Sequence, residues 1–329
     1  MTQKEDLKII DSTVVSVDSW KKYWHNCRWA TFFESAEWSE VWRSSFGTGF
    51  SATPIELTFS DGFICLLPAT SGKRAKGLVT NLEMSPSGIY GGPLSTEVPT
   101  AHHLRLIITY LNTNYTDFYF QINPFLLREI LLSDDDLAQF PGYAKDFTQA
   151  VDLSDSVDNI TRKLRKKRVI QYAKSASENG IRLEKGSKIS AFYDVYQQAQ
   201  QRWTNVSVAY PIRVFENLLK HQRCDYWAAF DDRENFLGGG IYLNGNQVVN
   251  MWMTVFTSES MKLRVYELFY SELIFHYKKA GLSWFDFNPS GGNDGVSRFK
   301  SKFAADRLDS PAFSQVSAVS KLAKTLMRK

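Results

Sequence analysis

Cysteine is scarce: Cys27, Cys65 and Cys224 are scattered through 329 residues, and their number is odd. A disulfide-framed fold is excluded, and a reducing compartment is implied. No apolar run approaches the roughly 20 residues a membrane helix needs. The opening MTQKEDLKIIDSTVVS lacks the apolar stretch behind a basic start that marks a secretion signal. These absences place the protein in the cytoplasm with no transmembrane segment. Two catalytic signatures are also missing, the phosphate-cradling G-x-x-x-x-G-K-[ST] and the G-x-S-x-G serine elbow. The histidines (His25, His102, His103, His221 and His276) show no metal-ligand spacing with cysteines or carboxylates, so no metal is expected. Net charge is only +4. That permits an anionic partner without demanding nucleic acid, and DNA is not expected.

What remains is an ordinary soluble composition, 43% hydrophobic and rich in aromatics at 14%, with room for two domains. One phrase is written twice. FQINP occupies 120–124 and FDFNP occupies 285–289. What precedes each copy also matches. In the first half TPIELTF and FICLLPA flank the turn SDG, then TAHHLRLIITYLNT reads as a helix leading to DFYFQINP. In the second, DYWAAF, LGGGIYL and QVVNMWMTVF form a meander, with Asn244-Gly245 as a hairpin turn. A long helix follows, its stripe made by Leu263, Tyr266, Tyr270, Leu273, Ile274 and Tyr277 at three- and four-residue spacing. Glu259, Glu267 and Glu272 lie elsewhere on its wheel, and Lys278-Lys279-Ala280-Gly281 supplies the stop. Each half thus reads as an antiparallel meander, a helix and a further strand. The reading is α/β (α+β): two related domains, 1–150 and 151–329, with 53–124 and 224–289 expected to share a fold. The basic tail SAVSKLAKTLMRK reads as a solvated terminal helix.

Two segments carry chemistry. Residues 162–168, RKLRKKR, hold six cations around one leucine, behind Ser154 or Ser156 as a helix cap and with Val157, Ile160 and Leu164 facing inward. On one helix the six would cover most of the wheel, so at least one of Arg162, Arg165 and Arg168 is expected to line a cleft and meet phosphate. The bland alternative is a solvated charge run. The second segment is WFDFNPSGGNDGVSRFKSK, 284–302, where an apolar strand gives way to glycines and then to Arg298, Phe299 and Lys300. Its bland reading is a helix docked by Phe299 and Phe303, with the cations in solvent.

The basic helix leading into A-x-x-x-G-[IV], the meander, the long helix and the ending FDFNPSGGNDGVSRFKSKFAAD resemble the FemABX-like branch of the GNAT acyltransferases. FFESAEWSEVW and YGGPL in the first half fit as well, so the resemblance covers about residues 10–305. It implies tandem GNAT-like domains, each a mostly antiparallel mixed sheet flanked by helices, with the first copy degenerate. It also implies transfer of an acyl group onto an amine of a glycan, sugar-nucleotide or cell-envelope precursor. The donor would be acyl-CoA as cosubstrate, or aminoacyl-tRNA as in the best-known branch. No bound cofactor is implied, and tRNA is the possible macromolecular partner. Where acyl-CoA enzymes carry an R/Q-x-x-G-x-G/A turn, this chain reads SESMKLRVYEL, without glycine.

Carried over by position, Phe299 and Lys300 fall on the family's Phe-Lys pair beside the reacting acyl group. Lys300, expected to be accessible, would stabilise charge developing on oxygen. Phe299 would hold its stem and add a cation–π contact. Asp286, at the strand end, would take the amine's proton or serve as a cap. Arg202, Trp203 and Tyr210, between the first helices of the second domain, would admit the acceptor, together with Arg298. Trp252 would line the cleft or pack in the core. The reading from another class is a non-catalytic protein that binds a phosphorylated glycan or tRNA.

Overall fold

The structure is a computed structural model that describes residues 6–320 apart from 48–49, 75–78, 88, 131, 133, 187, 202–208 and 319. Most of the basic tail therefore lies outside the described residues. The chain divides into two compact units: Met1–Phe147 with Leu308–Lys329, and Thr148–Arg307. The sequence reading gave everything after 150 to the second domain. The difference arises because Ala312–Gln315 is a strand that pairs antiparallel with Asp117–Ile122, register Phe313↔Phe120, and with Tyr143–Ala144. Its Phe313 ring stacks 6.2 Å from Phe120. Pairing partner and apolar contact, rather than chain order, assign that segment to the first unit.

In the first unit the turn Ser60-Asp61-Gly62 joins Ile55–Phe59 to Ile64–Leu67, with Gly62 at φ +91°. These two strands and Ile9–Val14 form one sheet. At Pro68 the chain leaves it, since proline brings no ladder donor. Thr70–Arg74 and Val79–Glu83 join a second sheet instead, so the first meander is divided between two sheets. Helix Ala101–Asn114 follows, and Asp117–Ile122 then pairs parallel with Val79–Glu83 over Asn81↔Asp117 to Glu83↔Tyr119. Beyond that rung a further strand, Tyr90–Gly91, takes over beside Gln121 and Ile122. It fits only because residue 91 is glycine: a Cβ there would sit 2.2 Å from that of Met84.

The second unit is built on one mixed sheet. Its strands are β1 (Phe147–Asp152), β2 (Arg182–Lys185), β3 (Cys224–Phe230), β4 (Phe236–Asn244), β5 (Val248–Phe256), β6 (Trp284–Asp286) and β7 (Asp306–Asp309), in the order β2-β3-β4-β5-β6-β1-β7. Its helices are α1 (Val157–Lys166), α2 (Val169–Glu178), α3 (Ile189–Gln200), α4 (Ile212–Leu218), α5 (Val265–Lys279) and α6 (Asp294–Lys300). The β4–β5 hairpin turns at Asn244-Gly245, where the Gly245 amide donates to Val248 O at 2.8 Å. One face of the sheet buries Tyr242, Val249 and Phe285 against α1, α2 and α5. On the other face Phe192 of α3 and Phe215 of α4 meet Tyr226 and Trp252.

Helix α5 buries Tyr270, Leu273, Ile274 and Tyr277 as its spacing requires, and Gly281 at φ +85° ends it. Leu263 precedes the helix, and Glu267, expected off the apolar stripe, is also buried. In the first turn of α5 Val265, Glu267 and Leu268 are buried, and Tyr266 is half-buried. Helix α1 is capped by Ser156, whose hydroxyl accepts from the Asn159 amide at 3.1 Å. Ile160 and Leu164 face inward, whereas Val157 is exposed.

Candidate active site at the strand split

Strands β5 and β6 pair in parallel, and their ladder is short: Val248↔Trp284, Val249↔Phe285, Asn250↔Asp286. Past that rung they part. β5 continues to Phe256, while the chain after β6 stays with β1, the Phe287 amide donating to Gln149 O at 3.0 Å. The sheet therefore opens into a wedge whose tip is Asn250 and Asp286.

A cavity of about 340 Å³ occupies the open side. Met251, Thr254 and Phe256 of β5 form one wall, and Tyr266 and Tyr270 of α5 another. Val296, Phe299 and Lys300 of α6 close the third. Asn293 caps α6, its side chain accepting from the Val296 amide at 3.1 Å, so the loop Ser290–Asn293 fixes where the helix starts. Tyr270 donates to Thr254 Oγ1 at 3.2 Å, and burial raises its phenol far above the ordinary range, so it is a neutral donor. Gly238 on β4 lies beneath the Phe256 ring, where a Cβ would come within 2.1 Å of a ring carbon. A second cavity of about 390 Å³ shares Met261, Tyr266, Val296 and Phe299 and adds Arg264, Glu267 and Lys302. The first is mainly apolar, and the second carries charge of both signs.

The Phe-Lys pair thus sits on the cavity wall, but its setting differs from expectation. Lys300 is 3% exposed, not accessible. Its ammonium donates to Asn288 O at 2.6 Å and Pro289 O at 3.2 Å, tying α6 to the strand end. Phe299 packs edge-on against Tyr266, Tyr270 and Phe303 at 5.5, 5.8 and 5.1 Å, and the ammonium over its ring, at 5.8 Å, belongs to Lys302 rather than Lys300. Asp286 is wholly buried. Its carboxylate accepts from Thr148 Oγ1 at 2.5 Å, Asn250 Nδ2 at 2.8 Å and the Asn288 amide at 3.0 Å. It holds strand ends together at the wedge tip and does not face the cavity.

The other expected site residues are dispersed. Arg298 is exposed. Arg162, Arg165 and Arg168 are all exposed and line neither of these cavities. The run RKLRKKR does not lie on one helix: α1 ends at Lys166 and Arg168 adopts φ +61° to start α2, which turns the last cations back to solvent. Arg168 nevertheless reaches a basic cluster. Its guanidinium lies 5.2 Å from the Tyr172 ring, and Arg264, on the wall of the second cavity, lies 4.2 Å from the same ring. Tyr210 and Trp252 do meet, stacked at 5.7 Å. Trp252 is buried against Phe215 as well, which is core packing. Arg202 and Trp203 lie outside the described residues. Sequence reading missed Asn250, Asn288, Thr254, Arg264 and the enclosed Glu267. Only Asn288 had a visible signal, in the repeated F-x-x-N-P.

Among the described residues there is no group of three or more His, Cys, Asp or Glu that could hold a metal, and no helix long and apolar enough to cross a membrane. Residues 161–301 match the family described as the acetyltransferase (GNAT) domain. The matched stretch lies wholly within the second unit. The whole chain is similar in fold to FemX, with a TM-score of 0.68 at 9% identity over 97% of this chain and 100% of the other. It is also similar to the C-terminal domain of a putative lysylphosphatidylglycerol synthetase from Agrobacterium fabrum, with a TM-score of 0.55 at 12% identity over 94% and 96%. No curated relative matches by sequence. Fold and domain together bear out the resemblance to the FemABX-like branch of the GNAT acyltransferases.

Proposed function

We propose that this chain is an N-acyltransferase whose second unit seats the acyl group of its donor in the wedge between β5 and α6, where an amine attacks it. The observation that carries this reading is a parallel strand pair that opens beside an immobilised ammonium. Attack on an acyl carbonyl builds negative charge on its oxygen. A cation already fixed by Asn288 O and Pro289 O needs no reorganisation to meet it. The acceptor amine belongs to a glycan, sugar-nucleotide or other cell-envelope precursor.

The loop before α5 bears on the donor. The amides of Ser260, Lys262, Leu263, Arg264 and Val265 all donate to carbonyls of the same loop, at 2.9–3.4 Å. An amide nest for the pyrophosphate of CoA needs such donors unspent. Donor phosphates would instead be gripped by side chains, with Arg264 on the wall of the second cavity and Arg168 on the same Tyr172 ring. This favours an aminoacyl-tRNA donor over acyl-CoA. Labelled acyl transfer from each donor to a panel of amino sugars and envelope precursors tests the proposal. Binding of tRNA or a phosphorylated glycan without any transfer would make the chain a binding protein and refute the catalytic reading.

A further inference from the structure

The motif F-x-x-N-P occurs once in each unit, and its asparagine does different work in the two. In the first unit Asn123 has an ordinary φ of −57°. Its Oδ1 caps the amides of Phe125 and Leu126, and its Nδ2 donates to Trp29 O and Glu34 Oε2. There the place beside Gln121 and Ile122 is filled by Tyr90–Gly91. In the second unit the wedge stays open, and Asn288 stands at φ +58°. A side chain with a Cβ is strained there, and the following Pro289 restricts the residue further. Four hydrogen bonds hold it. Its amide donates to Asp286 Oδ1, its carbonyl accepts from Lys300, its Oδ1 lies 3.4 Å from Asn250 Nδ2, and its Nδ2 donates to Met251 O at 2.8 Å.

The last of these bonds crosses the split. The ladder ends at Asn250↔Asp286, and Met251 O is the next acceptor along β5. A side-chain amide replaces the missing backbone rung. It carries the donor from residue 288 to β5 one residue past the last rung of the ladder. From this geometry we infer that Asn288 is a positioning residue that sets the width of the wedge, and with it the place of Met251 on the cavity wall. The functional part rests on the acyl-transfer reading; the mechanical part does not.

Glycine is the discriminating substitution, because it adopts φ +58° more easily than asparagine does. Were Asn288 only a turn residue, Asn288→Gly would be neutral or slightly stabilising. As a cross-strand pin, Asn288→Gly keeps the turn and loses the bond to Met251 O, and Asn288→Asp puts an acceptor where the donor stood. Amide hydrogen exchange is compared along β5 in the full chain. In both variants exchange over Met251–Phe256 is expected to rise at least tenfold, with Val248–Asn250 unchanged as the internal control. Unchanged exchange in Asn288→Gly, or a uniform rise across the second unit, overturns the inference. These readouts require no substrate, so they stand apart from any failure of the catalytic reading. Once a donor is established, Asn288→Gly is expected to lower kcat by tenfold or more through misplacement of the acyl group. An unchanged kcat with faster exchange would leave the pin and remove its role in transfer.

Discussion

Replacing Lys300 with methionine keeps most of the stem and deletes the charge, and the structure gives that change two consequences. The ammonium is buried and donates to Asn288 O and Pro289 O, so its loss leaves one buried and one part-buried carbonyl without that donor. Hydrogen bonds to a charged group contribute roughly 1.5–3 kcal/mol each, and burying the ammonium offsets part of this. A loss of about 2–3 kcal/mol in unfolding free energy is therefore expected, a clear fall in the urea midpoint. The catalytic consequence is separate. Removing one preorganised stabiliser of developing negative charge lowers turnover by roughly 10²-fold or more. Urea unfolding followed by tryptophan fluorescence, and turnover at a temperature where the variant is folded, read the two effects independently. Lys302→Met is the control. Lys302 contacts the Phe299 ring from the outside at 5.8 Å, an interaction of about 0.5–1 kcal/mol, and should change neither readout much. An unaltered midpoint for Lys300→Met would refute the clamp, and near-normal turnover by the folded variant would refute the catalytic cation.

Three more outcomes are expected. Glu34 is fully buried, and desolvation pushes its carboxyl up to about 7 from 4.5. A folded-state value above the unfolded one makes the contribution greatest below about pH 4.5 and lost as pH rises through 7, some 3 kcal/mol in all. Urea midpoints between pH 5 and 8 should fall more for the wild type than for Glu34→Gln, and parallel curves would count against this. Gly238→Ala drives a Cβ into Phe256, which lines the cavity, and should cost roughly 1–3 kcal/mol in urea unfolding. A neutral effect would mean the ring can move aside. Should the donor be linked to tRNA, replacing Arg168 and Arg264 with alanine should lower the salt slope of tRNA binding by about one per lost phosphate contact. An unchanged slope would return both residues to solvent.

Local features of the sequence were sufficient for the local elements. Asn-Gly between apolar runs turned a hairpin, the three- and four-residue spacing before Lys278 gave a helix that buries Tyr270, Leu273, Ile274 and Tyr277, and Ser156 capped the helix it precedes. The repeated F-x-x-N-P marked a strand end in each half, Asp117–Ile122 in the first and Trp284–Asp286 in the second. What the sequence could not carry was anything decided by distant partners. It could not tell that Ala312–Gln315 returns to the first unit, because strand pairing leaves no mark of its partner in the strand itself. It could not distinguish Lys300 from Lys302, two cations two residues apart, one turned into a cage of carbonyls and one left in solvent. The helix break at Arg168 removed the basis for placing its cations in a cleft. The wedge itself was invisible, since it depends on β6 leaving β5 after three rungs, and the same F-x-x-N-P holds Asn123 at φ −57° beside a filling strand and Asn288 at φ +58° beside the open split. Periodicity records which face of an element is buried; which element buries it, and how far two strands part, are settled only when the chain is packed.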